Sequence, residues 1–342
     1  MDQMDDIHKM QNQEMPTEQE INYLKKVLTR RFVSMPDVDE AWDGMMRQIG
    51  KPKRRTIKMR YMGAAIAIAV AMILVLVMVN DGQTGDADAD KLLFAAVTTS
   101  DNVIVTTSDG DVKVDDQEPL SFSEKPKKSV VESVTVTTPR GKDMALELPD
   151  GTKVWLNADT HLTFPSQFVG ERREVRLEGE AYFEVRHDKS HPFIVHTEHF
   201  ATRVLGTSFD VRAYSGSTPC VVLVEGSVSV SSPVARKNTL LKPGELAKLS
   251  ASGDIGVSEI DTYPLTQWRE GFFYFNNVEA REILKEIGRW YNVSIIVDSP
   301  EKLSRRLHFV AERDSSLRSV MSHLNGLGNL DIELREHTII VR

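Results

Sequence analysis

Three groupings of side chains have the types and spacing to do chemistry. Glu178 and Glu180 stand two apart in the alternating run VRLEGEAYFEV, on one strand face with about 7 Å between Cα atoms. Carboxylates at such separations hydrolyse glycosides. However, this pair shares its face with Arg176, Tyr182 and Glu184, and glycosidase pairs usually come from separate strands, so a solvated strand face is expected. His187, His191, His196 and His199 invite a metal. Strand alternation in PFIVHTEHF puts His196 and His199 on opposite faces, and no ligand spacing matches a structural zinc site, so no metal is expected. Gly206-Thr207 in VLGTSFDV is the third grouping. A glycine before threonine in a strained turn lets the hydroxyl attack the preceding carbonyl, which makes this a candidate self-cleavage bond. The plain alternative is that glycine supplies a bend. Otherwise no catalytic residue is expected; the chain reads as a non-enzyme without a cofactor.

The elements that carry these residues follow from periodicity. Between residues 134 and 260 the apolar pattern has period two. Met144, Leu146 and Leu148 alternate up to the Pro149-Asp150-Gly151 turn. Val175, Leu177, Gly179, Ala181, Phe183 and Val185 form one face of the clearest strand, and similar alternation runs through Phe209–Ala213 and Val222–Val230. Short strands with no helical stripe between them predict an all-β domain, solenoid- or sandwich-like. From 265 to 342 the expected order is β-α-β-β-α-β-β, a small α+β module. Asn277 is expected to cap its first helix, whose stripe is Ala280, Ile283, Leu284, Ile287 and Tyr291. Residues 81–133 read as a periplasmic linker, in which KLLFAAV and NVIVTT have strand character.

Upstream lies Met62–Val79, eighteen residues without charge or proline. At 1.5 Å per residue it covers about 27 Å, close to a bilayer hydrocarbon core. Lys51, Lys53, Arg54, Arg55, Lys58 and Arg60 precede it, and Asp81, Asp86, Asp88 and Asp90 follow. This asymmetry predicts a single transmembrane helix over 61–80 with the N-terminus cytoplasmic. Residues 1–60 then form a short cytoplasmic α-helical segment. A capping box at Thr17-Glu18-Gln19-Glu20 opens a helix with Ile21, Leu24, Leu28 and Phe32 on one face. After Pro36, a second stripe consists of Val38, Ala41, Trp42, Met45, Met46 and Ile49. Two such helices cannot build a core alone, and a stripe with Trp and Met suits a partner's groove.

The 342 residues carry a net charge of −8, with no basic block beyond the juxtamembrane one, which argues against nucleic acid as a direct ligand. One cysteine, Cys220, excludes an intrachain disulfide, so the outer part must be held by its core.

The motifs TPRGKDMALELPDGTKVWLNADTHLTFP, REVRLEGEAYFEVRHDKSHPFIVHT, VLGTSFDVRAY and VEGSVSV with LKPGELAKLS resemble the FecR family of bacterial membrane-bound anti-sigma regulators. The tail GFFYFNNVEAREILKEIGRWYNV resembles the C-terminal domain of its Bacteroides-type branch, similar to the short N-terminal domain of secretins and TonB-dependent transporters. PDVDEAWDGMMRQI resembles the end of the family's cytoplasmic helical region. The resemblance implies a regulator in the inner membrane whose cytoplasmic helices hold an extracytoplasmic-function sigma factor, with Leu24, Leu28, Trp42, Met45 and Ile49 as the contact residues. Its periplasmic part would sense the N-terminal signalling domain of a TonB-dependent, SusC-like transporter through residues 265–342. Membrane proteases would then release the sigma factor, and Gly206-Thr207 matches a bond at which some members are thought to cleave themselves. Small residues Gly63, Ala64, Ala65, Ala67 and Ala69 would ease local unwinding of the membrane segment. A tethered glycan- or ligand-binding module without signalling is the rival reading. It requires aromatics lining one open face, which Trp155, Phe164, Tyr182 and Phe183 are not expected to do. An envelope enzyme would require a productive Glu178/Glu180 site.

Overall fold

In the computed structural model the residues described are 91–114, 119–123, 131–250, 252–328 and 330–342. The expected cytoplasmic helices with Leu24, Leu28, Trp42, Met45 and Ile49, and the apolar run 62–79, lie outside them. No helix among the described residues is long and apolar enough to cross a membrane.

Seventeen strands come first: β1 (Leu92–Phe94), β2 (Val103–Thr107), β3 (Gly110–Val114), β4 (Leu120–Ser121), β5 (Ser133–Thr138), β6 (Met144–Glu147), β7 (Lys153–Leu156), β8 (Thr160–Pro165), β9 (Arg173–Glu184), β10 (Phe193–His196), β11 (Ala201–Val204), β12 (Ser208–Ala213), β13 (Cys220–Glu225), β14 (Val228–Ser232), β15 (Lys237–Leu241), β16 (Glu245–Leu249) and β17 (Ile255–Glu259). All but β1 belong to two sheets that face each other across one apolar core. The long strand β9 belongs to both. Its first half pairs with β8 and β10, and its second half pairs with β7 and β12. The crossing falls at Gly179, where φ is +112° and a Cβ would lie 2.7 Å from the Thr160 Cα, so only glycine fits. The domain is therefore a sandwich whose corner is a strand that changes sheets. Phe183 on β9 packs between Phe193 of one sheet, at 6.0 Å between ring centroids, and Phe209 of the other, at 5.2 Å. The expected core face Val175, Leu177, Ala181, Phe183 and Val185 is buried.

The expected linker supplies structure at both of its strand-like runs. β2 pairs with β5 and β3, β4 pairs with β6, and Val103 is fully buried in the sandwich core. β1 joins the other domain.

That second domain contains α1 (Tyr263–Thr266), a 3-10 turn at Gln267–Glu270, β18 (Phe272–Glu279), α2 (Ala280–Tyr291), β19 (Ser294–Val297), β20 (Arg306–Glu312), α3 (Leu317–Gly328), β21 (Ile332–Arg335) and β22 (Thr338–Val341). The order β-α-β-β-α-β-β is as expected. Its sheets are β1-β19-β22-β21 and the pair β18-β20. Ala280, Ile283, Leu284 and Ile287 of α2 meet Val320, Met321 and Leu324 of α3 in a separate core. Asn277 does not cap α2. It sits at φ +56° in a bulge of β18, which asparagine tolerates, and Glu279 precedes the helix instead.

Candidate functional site

The sequence-predicted residues are not gathered into one catalytic centre. Glu178 is exposed on the first half of β9, whereas Glu180, beyond the crossing at Gly179, is buried. The pair therefore does not share a solvated face. His191 pairs with Asp188 at 2.8 Å and His196 with Glu174 at 3.5 Å, while His187 packs against Gly206. No cluster among the described residues could hold a metal ion. The His191 contact and the Ser190 amide draw the Asp188 carboxyl down to about 2.

Gly206-Thr207 forms a tight turn between β11 and β12. A Cβ at Gly206 would come 2.7 Å from the His187 Cα, and one at Gly226 would come 2.9 Å from the Thr207 hydroxyl. Thr207 is buried and its hydroxyl donates to the Ser227 carbonyl at 3.1 Å. The Val185 amide donates to the Thr207 carbonyl at 3.0 Å. As it stands the glycine supplies a bend and a close approach. Attack on the Gly206 carbonyl requires the hydroxyl to leave Ser227.

The concentration of chemistry lies elsewhere, where α2 lands on the second half of β9, on β12 and on the loop after β7. Glu286 of α2 accepts from Arg212 of β12 at 2.6 Å, from Arg289 one helical turn on at 2.8 Å, and from Arg313 at 3.2 Å. Asn157 donates to both Glu180, at 2.6 Å, and Glu286, at 3.3 Å, and its own oxygen accepts from Arg313 at 2.8 Å. Glu180, Glu286, Arg289 and Arg313 are all buried. Burial favours the neutral form of both carboxyls, but it is overcome at only one. Three guanidinium groups hold Glu286 down at about 2, whereas for Glu180 burial outweighs Arg212, and the Glu286 charge raises it further. Burial, then Glu180, likewise push Asp210 well up.

Aromatic rings sandwich the same cations. Arg289 lies 3.5 Å over the Tyr214 ring, and Arg313 lies 4.5 Å over Trp290. Arg269 lies 3.6 Å over Tyr182 and 5.2 Å over Trp155. Trp155 and Tyr182 are directly opposite on neighbouring strands and touch edge to face at 5.8 Å. These two share a face, while Phe164 and Phe183 are buried in the sandwich core, so the four do not line one face, as expected. The shared face is not an open platform, because Arg269 covers it. Gly141 completes the junction from the sandwich side. A Cβ there would meet the Trp290 carbonyl at 2.9 Å, so the Pro139-Arg140-Gly141 loop can approach α2 only without one.

The arrangement joins one domain to the other through buried side chains. Comparison with known proteins defines the class. Residues 134–229 match the FecR protein family, and residues 272–341 match the FecR C-terminal family. A crystal structure at 1.65 Å of a Parabacteroides distasonis protein, whose proposed role is that of an anti-sigma factor, is similar at 30% identity with a TM-score of 0.57. The match covers 61% of this chain and 98% of that one. A second crystal structure of an anti-sigma factor so proposed in the same organism, at 2.50 Å, matches at 29% identity with the same TM-score and coverage. No curated protein matches. The chain belongs to the FecR family of anti-sigma factors, a regulatory family acting in signal transduction.

Sequence reasoning missed the junction. Glu180, Tyr182, Trp155 and Arg212 look like the polar side of alternating strands. The available signal was composition: Trp, Tyr and Arg concentrated on one nominally wet face are what interfaces contain.

Proposed function

We propose that this protein is a single-pass inner-membrane anti-sigma factor that holds an extracytoplasmic-function sigma factor in the cytoplasm and answers to a TonB-dependent transporter outside. The run 62–79 is the membrane span, residues 1–60 the sigma-binding segment, and 81–342 the periplasmic part. The observation that carries this reading is the buried Glu286 junction. Its buried contacts tie the two FecR-type domains together, which supports the reading that a contact on 265–342 is felt by the sandwich. The transporter's N-terminal signalling domain is the partner for that surface, and membrane proteases complete the release of the sigma factor. Gly206-Thr207 is the proposed self-cleavage bond. The threonine oxygen attacks the Gly206 carbonyl carbon, the peptide C–N bond breaks as the hydroxyl proton passes to the departing Thr207 nitrogen, and water hydrolyses the resulting ester to a Gly206 carboxylate and the free Thr207 hydroxyl.

The test is direct. Residues 1–58, titrated against the neighbouring sigma factor, bind it and suppress its transcription. Trp42→Ala weakens binding by about 30-fold, the loss of a buried aromatic anchor worth about 2 kcal/mol. Absence of binding removes the function from the inner segment and leaves a tethered binding module. For the cleavage bond, Thr207→Val abolishes any fragment ending at Gly206 seen by mass spectrometry. Persistence of that fragment excludes the hydroxyl mechanism.

A further inference from the structure

Between residue 91 and the sandwich the chain first joins the C-terminal domain, where β1 pairs with β19 as the edge strand of the four-stranded sheet. The seam is short and irregular. β1 has three residues, its register slips between Leu92 and Phe94, and it has a partner on one side only. Leu92 remains 47% exposed.

The receiving surface is nonetheless built for it. Gly288 interrupts the middle of α2, where glycine weakens a helix. A Cβ there would meet the Phe94 ring at 2.8 Å, so the missing side chain is the slot for that ring. Arg140 lies over the Phe94 ring at 4.6 Å and donates to the Ala95 carbonyl at 2.7 Å. Asn292, in the left-handed cap of α2, imitates a neighbouring strand with its side chain. Its oxygen accepts from the Val97 amide at 3.1 Å and its nitrogen donates to the Val97 carbonyl at 2.8 Å. Ser294 accepts from the Ala96 amide at 3.0 Å, and Lys91 pairs with Asp298 at 2.9 Å.

We propose that residues Lys91–Val97 are a displaceable clasp, an edge strand that fastens the membrane-proximal chain to the C-terminal domain and opens without unfolding it. The contacts divide accordingly. Two partly buried side chains, Leu93 and Phe94, a short irregular pairing with β19 and a few half-exposed hydrogen bonds hold the clasp, while β19, β22 and β21 keep their own pairing when it leaves. The consequence is a change of tether, which rests on the reading of 62–79 as a membrane span. With the clasp closed, about 12 residues separate the span from the C-terminal domain, a reach of at most about 40 Å. With it open, about 24 residues lead from the span to β2, a reach of about 80 Å, and the backbone of 91–102 becomes available to a protease.

Hydrogen exchange read by mass spectrometry on the full chain in detergent tests the clasp whether or not the span reading holds; flotation with lipid vesicles reports on the span separately. In the unaltered protein the amides of 94–97 are protected, yet exchange at least about tenfold faster than those of β22. Phe94→Ala raises exchange at 94–97 a further tenfold or more and leaves β22 unchanged. A Leu92→Cys/Ile296→Cys pair, cross-linked between facing positions, slows 94–97 to the β22 rate, and reduction restores it. The cross-link is made in a Cys220→Ser background, which removes the native thiol, itself pushed up to about 12 by burial. Two results overturn the proposal. If 94–97 and β22 exchange together in both proteins, β1 is an integral strand that opens only with its domain. If 94–97 is unprotected in the unaltered protein, it is not docked.

Discussion

Among the described residues the C-terminal domain is attached to the rest of the chain at a junction and at a clasp, and the two differ in kind. At the junction, Glu286 gathers three guanidinium groups in a buried site roofed by Tyr214, Trp290 and Phe273. At the clasp, β1 offers two partly buried side chains, Leu93 and Phe94, and partly exposed hydrogen bonds at a sheet edge. A buried ion network is no guarantee of net stability, since desolvation offsets much of the attraction, but removing one member is costly because the others stay buried and unpaired. An edge strand has no such penalty; water takes over what it leaves. One attachment is thus fixed to a single geometry and the other is free to open, which is the division a signal relay requires.

The largest effect is expected at the junction. Glu286→Gln keeps the shape and removes the charge, leaving Arg212, Arg289 and Arg313 facing one another. Denaturant unfolding should show the transition of the C-terminal domain weakened by roughly 3–5 kcal/mol, and a loss below about 1 kcal/mol would mean that water already relieves those cations. Acid probes the same group. Its folded value of about 2 lies below the unfolded one, so its contribution is present above about pH 4.5 and disappears as the pH falls towards 2. Glu180 has the opposite sign. Its raised value means stability is present at low pH and lost as the pH rises through that value, so Glu180→Gln should flatten the neutral-side slope of stability against pH and keep the acid-side loss.

Gly141→Ala comes next. With φ at +78° and the Trp290 carbonyl 2.9 Å from the new methyl, it should cost about 1–3 kcal/mol by the same denaturation measurement. Gly288→Ala has the smallest global effect, since improved helix propensity of up to about 1 kcal/mol opposes the crowding of Phe94 and Ile295. Its signature is local: amides 94–97 lose protection while the melting temperature changes little. A large drop in melting temperature would place the clasp in the domain's core and erase the contrast.

Much of the architecture could be read from period and punctuation. The alternation of Val175–Val185, the β-α-β-β-α-β-β order and the stripe of α2 all depend on local pattern, and they stand. What failed depended on what lay above a strand. Alternation says that Glu178 and Glu180 are on one side of β9, but only the fold shows that the strand changes sheets at Gly179 and that α2 covers the second half. Residues 91–97 have strand character, but nothing local says that their partner is β19, some two hundred residues on. Asn277 followed the preference of asparagine for helix starts and was claimed by its equal tolerance of a left-handed bulge.

The central claim is that the sandwich and the C-terminal domain act as one body through Glu286. Differential scanning calorimetry of the full chain in detergent tests it most directly. The unaltered protein should unfold its outer part in one cooperative transition, and Glu286→Gln should split it in two, with the C-terminal domain melting first. Two resolved transitions in the unaltered protein, or one undivided transition in the variant, would contradict the account.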